Sequence, residues 1–253
     1  MKIGGIYDFL DSIAPFENAM STDNCGLLVG SFDFDVKRAL VVLDITNEII
    51  DEAAAKGAEL IISHHPVIYT PLRSLTDPSP AFRAAQKNIS VICAHTNFDA
   101  APGGVNDLLI SALEIEKTGT VEGTEGCVAL ALCPEKYSSP LALARHVKQK
   151  TGASAVRLLD GGRPVKKLAV CCGGGASFFE FVVKSGADAF VTGDLKYPQA
   201  VDAKRLKITL VDVGHYETEI AFVGLLIGLL SKEFPQVEFI RAEAEKPLFE
   251  YIK

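Results

Sequence analysis

The chain has 253 residues, enough for one large domain or two smaller ones, and its 48% hydrophobic and 23% charged content suits a globular protein with a buried core. A net charge of −7 excludes a global basic field, so nucleic acid is disfavoured as a partner and only local basic patches remain open to it. Six cysteines with no CxxC pair, three of them (Cys93, Cys171, Cys172) inside apolar runs, read as reduced structural thiols of a cytoplasmic protein.

The opening stretch MKIGGIYDFLDSIAPFE acquires acids early and lacks the apolar centre of a signal segment. KRALVVLD (37–44) is predicted as a strand, TNEIIDEAAAKG (46–57) as a helix stopping at Gly57, and AELIIS (58–63) and NISVICAH (88–95) as further strands. Strands that are apolar throughout call for a sheet covered on both faces, hence an α/β fold. The run IAFVGLLIGLL (220–230) is well short of the roughly 20 residues a membrane span needs. It reads as a buried helix, and no membrane association is expected.

The second half follows the same plan. KRALVVLDITNEIIDEAAAKGAELIISHH (37–65) aligns without a gap on KKLAVCCGGGASFFEFVVKSGADAFVTGD (166–194), with identities at Lys37/Lys166, Val41/Val170, Gly57/Gly186 and Ala58/Ala187. Downstream, NISVICAHTNF matches LKITLVDVGHY in pattern. Two α/β domains of related topology are therefore expected, residues 1–125 and 126–253, with the C-terminal helix free to pack back on the first. In open α/β sheets ligands gather beyond the carboxyl ends of strands, so two such halves facing each other would create a cleft between them.

Four of the five histidines occupy strand ends of this kind. His64 and His65 follow the strand 58–63; His95 and Asp99 lie in AHTNFD; His215 and Glu219 lie in GHYETE. Pro66 biases His65 towards extended backbone, where consecutive side chains diverge, so the HHP pair suits two metal ions better than one. His215 and Glu219 are spaced i, i+4, on one face if a helix begins at Gly214. Glu219 or Asp99 could bridge two cations. This nitrogen and oxygen donor set suits zinc, iron(II), manganese, cobalt or nickel, with no thiolate to narrow the choice. His146, on an amphipathic helical stretch, takes no role.

DNCGLLVG (23–30), ISHHP, HTNFDAAPGGVND (95–107), VCCGGGAS (170–177), VTGDLKY (191–197) and GHYETE (214–219) occur in an order that resembles the dinuclear-metal-centre family of GTP cyclohydrolase I type 2 homologues, also called the Nif-three-like family. The resemblance spans nearly the whole chain. It implies two divalent metal ions held between two α/β domains by His64, His65, Asp99, His215 and Glu219, with Glu219 bridging. His95 matches a family histidine close to the metals, as ligand or in contact with ligands, and a ring-shaped homohexamer is implied as well. Thr22 stands where the family has an aromatic residue, and Pro198 where it often has a histidine. Neither position is a ligand, so the implied centre is unaffected, and only a substrate contact of that histidine, if the family makes one, would be altered here.

Two divalent cations outweigh the Asp99 and Glu219 carboxylates, so the centre would favour a small anionic substrate, and metal-assisted hydrolysis is the leading chemical expectation. GGGAS (173–177) leads from a strand into a helix, so its amides would serve either as an anion cradle or as a tight turn. Asp194 and Lys196 read first as salt-bridged or exposed residues, and second as candidates for orienting ligands or touching substrate. The competing class is a non-enzymatic, ring-forming metal or regulatory protein that engages a protein or nucleic-acid partner. An Asp-rich phosphoesterase fits less well, because no DxH or DHH motif is present.

Overall fold

The computed structural model describes residues 1–252. The chain divides into two compact units, Met1–Ala101 with Phe222–Leu248, and Pro102–Ala221 with residues 249–252. The first unit opens with α1 (Ile3–Ile13), which buries Ile3, Ile6 and Leu10 along one stripe, followed by β1 (Gly26–Val29) and β2 (Arg38–Val42). Helix α2 (Asn47–Ala55) starts where the Thr46 side chain accepts the Ile49 amide and places Glu48 in its first turn, both favourable at a helix N-terminus. It lays Ile49, Ile50 and Ala53 on Leu40, Val42 and Ile61 of the sheet. β3 (Leu60–Ser63), α3 (Pro80–Gln86), β4 (Ser90–Cys93) and α4 (Thr96–Ala100) follow. Strands β2, β3 and β4 pair in parallel, and apart from Arg38 every residue in them is buried. The unbroken apolar runs of the sequence are thus strands covered on both faces.

The second unit contains α5 (Val105–Ala112), β5 (Glu116–Thr120), β6 (Ala129–Leu132), α6 (Pro140–Thr151) and β7 (Arg157–Leu159). Next come β8 (Lys167–Val170), α7 (Phe179–Lys184), β9 (Ala189–Thr192), α8 (Tyr197–Leu206), β10 (Thr209–Asp212) and α9 (His215–Glu219). Its sheet runs β5-β6-β8-β9-β10-β7, with β8, β9 and β10 parallel. The edge strand β5 is exposed along its length and irregular between Lys117 and Gly119, which blunts it as a template for further pairing.

Helix α10 (Ala221–Glu233) and β11 (Glu238–Arg241) complete the first unit, whose sheet order is β1-β4-β3-β2-β11. α10 is less deeply buried than its composition suggests. It buries one stripe, Phe222, Val223, Leu226 and Leu230, and leaves Gly224 and Gly228 on the outside. Among the described residues no helix is long and apolar enough to cross a membrane. Both sheets share a three-strand parallel core, β2-β3-β4 and β8-β9-β10, with an antiparallel strand, β1 or β7, beside the third.

Candidate metal centre

In the first unit the polar residues gather beyond the carboxyl ends of β3 and β4. β3 ends at Ser63, whose hydroxyl donates to the His65 carbonyl (2.8 Å) and helps the chain bend through His64 and His65. Strand alternation stops there. The two side chains accordingly do not diverge as extended backbone would require: their ring centroids lie 5.1 Å apart. His95 caps the start of α4, and the ring nitrogens of His64, His65 and His95 fall within 4.8 Å of one another. Asp99, one helical turn after His95, is buried with Oδ1 3.4 Å from His64 Nε2. The Phe222 ring closes over His64 at a centroid distance of 4.7 Å.

Each imidazole is held by its Nδ1. His64 Nδ1 donates to the Ala94 carbonyl (3.0 Å), His65 Nδ1 to Asp44 Oδ1 (2.8 Å), and His95 Nδ1 to both oxygens of Asp23 (2.9 Å). Asp23 also accepts the Thr96 amide and hydroxyl and the Asn24 amide. Burial by itself would raise its pKa, but the His95 hydrogen bond and charge, with the Thr96 and Asn24 donors, hold it well below the usual carboxylate range.

The second unit repeats the device beyond β10. Helix α9 brings His215 and Glu219 together, Nε2 to Oε2 at 3.1 Å, and His215 Nδ1 donates to Asp194 Oδ2 at 2.7 Å. The turn after β8 passes close behind them. A Cβ on Gly173 would stand 2.0 Å from Glu219 Oε1, so only glycine leaves that carboxylate its place. The Gly173 amide donates to Thr218 Oγ1 (2.9 Å), which ties the turn to α9.

A carbonyl or an ionised carboxylate accepts hydrogen bonds and cannot donate, so the Nδ1 of each of these imidazoles carries a proton. In the neutral ring Nε2 is then a bare lone pair. At His64 and at His215 that lone pair faces a carboxylate oxygen, an arrangement that requires a proton or a cation in between. Charging all three clustered rings of the first unit is unfavourable: two unit charges 4.8 Å apart repel by about 3 kcal/mol even at an effective dielectric of about 20. Neutral imidazoles turned towards a divalent cation remove the conflict, so the donor set fits a metal.

His64, His65, His95 and Asp99 are thus gathered in one unit, and His215, Glu219 and Asp194 in the other. GGGAS is no open anion cradle: Gly173 and Gly175 already donate their amides to the Thr218 and Thr192 hydroxyls. His146 is buried, hydrogen-bonded to the Leu113 carbonyl (2.7 Å) and stacked on Tyr137, a structural role. The sequence reading missed Asp23 and Asp44. Their signal was an acid in the first glycine-rich signature and an acid ending the run VVLD.

Fold and site define an α/β protein of two units, with histidines and carboxylates gathered beyond the parallel strands as candidate metal ligands. The chain belongs to the Duf34/NIF3 (NGG1p interacting factor 3) family, whose sequence profile matches residues 1–247. It is 30% identical over 262 residues to a GTP cyclohydrolase 1 type 2 homolog of Clostridium perfringens, covering 100% of both chains. It is 36% identical over 226 residues to one of Campylobacter jejuni, covering 87% of this chain and 88% of the relative. Among solved structures, a hypothetical protein of Staphylococcus aureus superposes with a TM-score of 0.88 at 28% identity, covering 100% of this chain and 99% of the other. Reduced HcgD from Methanocaldococcus jannaschii gives 0.84 at 26% identity, covering 96% and 98%.

Proposed function

We propose that this chain binds two divalent metal ions and hydrolyses a small anionic, nucleotide-like substrate. In this reading His64, His65, Asp99, His215 and Glu219 would hold the ions, with His95 and Asp194 supporting them. The observation that carries it is the set of imidazoles whose Nδ1 atoms are fixed by Ala94, Asp44, Asp23 and Asp194, which leaves Nε2 of each ring as its metal-binding atom. Family membership supports it, and a Helicobacter pylori relative at 35% identity carries the name GTP cyclohydrolase 1 type 2. We also read the shared strand order of the two sheets as an internal duplication with its junction near residue 125, and a homohexameric ring as a property carried over from the family.

When bound, a divalent pair supplies Lewis acidity and lowers the pKa of its water. The residues of the chain do the rest. Asp44, Asp23 and Asp194 hold the proton on Nδ1 and fix each ring. Asp99 and Glu219 offset part of the cationic charge, and the positive remainder favours an anion. Metal content by mass spectrometry on untagged, anaerobically purified protein tests this beside a His64→Ala/Glu219→Ala double variant. About two metals per chain in the wild type, lost in the variant, are expected, followed by turnover in a screen of nucleotides and phosphoesters. Wild-type protein that stays metal-free after reconstitution would refute the hydrolase and leave a family scaffold with a non-enzymatic task.

A further inference from the structure

Three carboxylates tether imidazoles here, and they are not equally secured. The Asp23 side chain is 3% exposed, that of Asp44 39%, and that of Asp194 61%. Burial therefore immobilises the first and does little for the last. An exposed aspartate has free rotamers and water as a competitor, and an exposed pair of this kind is normally weak. Yet Asp194 meets His215 Nδ1 at 2.7 Å, from a left-handed backbone of φ +55°, a region aspartate enters more readily than most non-glycine residues.

The surroundings of Asp194 converge on one buried residue, Asp212. Asp212, at the end of β10, accepts the Leu195 amide on Oδ2 (3.0 Å) and the Gly214 amide on Oδ1 (3.2 Å). One carboxylate thus joins the loop that carries Asp194 to the turn that carries His215. Arg157 closes the clamp. It lies opposite Asp212 in the β7–β10 pairing, and its Nη2 donates both to Asp212 Oδ2 and to the Leu195 carbonyl (2.7 Å to the carbonyl). Gly193, on the other side of Asp194, packs so closely that a Cβ there would stand 2.7 Å from the His215 amide nitrogen. The segment before Asp194 is held by contact and the segment after it by the clamp.

We infer that Asp212, clamped by Arg157, is a positioning residue that holds Asp194 against His215 and thereby sets the imidazole tautomer required for metal binding. This rests on the proposed role of His215 as a ligand, so its test needs a readout that requires no metal. The nitrogen-15 shifts of His215 in metal-free protein, at a pH where the ring is neutral, report which nitrogen bears the proton. The wild type is expected to show the Nδ1–H form. Asp212→Asn is expected to shift it to a mixture with Nε2–H and to weaken zinc binding 10- to 100-fold by chelator competition, the range for outer-shell partners. Arg157→Gln, at an exposed edge-strand side chain, should do the same more weakly with an unchanged fold by circular dichroism. Arg157→Lys, which keeps the charge, should restore part of the effect.

Should Asp212→Asn unfold, the Arg157 pair carries the test. A folded Asp212→Asn or Arg157→Gln protein with wild-type nitrogen shifts would overturn the inference. Wild-type protein that binds none of zinc, iron(II), manganese, cobalt and nickel would refute the metal reading alone, and the nitrogen shifts would still decide the positioning role.

Discussion

Replacing Gly173 by alanine would add a Cβ 2.0 Å from Glu219 Oε1, 2.9 Å from its Cδ and 3.0 Å from His215 Nε2. Real Cβ atoms essentially never come closer than 3.0 Å, so the oxygen must retreat by about 1 Å. Glu219 is 2% exposed and has no solvent to swing into. The backbone adds its own cost, since Gly173 has φ +59° and an L-residue there loses about 1–2 kcal/mol. Gly186→Ala is the matched control: the same unit, φ +71°, and nothing within 4 Å of the new Cβ. Both variants should lose about 1–2 kcal/mol by urea denaturation from the shared backbone term. Only Gly173→Ala should also lose metal affinity, by about tenfold or more, because a displaced donor rather than a strained turn is at issue. Equal metal affinity in the two variants would refute the placement of Glu219 in the centre.

Asp23→Ala should destabilise the protein by about 2–4 kcal/mol, because the amides of Asn24 and Thr96 and the His95 ring lose a buried acceptor together; chemical denaturation beside Asp35→Ala, an exposed surface aspartate, checks it. Burial opposes ionisation of Glu52, but Lys56 and the Glu243 and Ala244 amides lower its pKa below 4.5. Its stabilising effect should be complete above that ordinary value and disappear as pH falls through the lowered folded one, and a Glu52→Gln variant should flatten the acid limb of the stability curve. The Cys133 thiol is pushed up to about 11 by burial and by Asp188, so iodoacetamide at pH 8 should modify it about 100-fold more slowly than an unperturbed thiol, as peptide mapping of a time course would show.

Much of this was legible in the residues alone. Short, mostly apolar runs such as LIIS and SVIC show no alternating polar face, which fits strands in a sheet covered on both sides, and every residue of both is buried. The helix over Asn47–Ala55 carries its own start signal in Thr46 and its stop in Gly57. Histidines and acids directly after such strands announce chemistry, because strand ends are where an α/β sheet leaves backbone and side chains open to ligands. The order of the separated motifs then identifies the family.

Tertiary structure decided what each of those residues does. Asp23 serves His95 from 72 residues away only because β1 pairs with β4, and Asp44 serves His65 only because β2 lies beside β3. The alternation rule fails at His64–His65 because the chain bends after Ser63, and GGGAS is a closed turn because two threonine hydroxyls reach its amides. Asp194 and Lys196 looked alike as polar residues of one loop, but the clamp from Asp212 selects Asp194 for His215. Periodicity and composition are local properties of the chain and survive in its sequence. Hydrogen-bond partnership is directional and acts over about 3 Å, so it depends on which strands become neighbours, and only the folded chain brings them together.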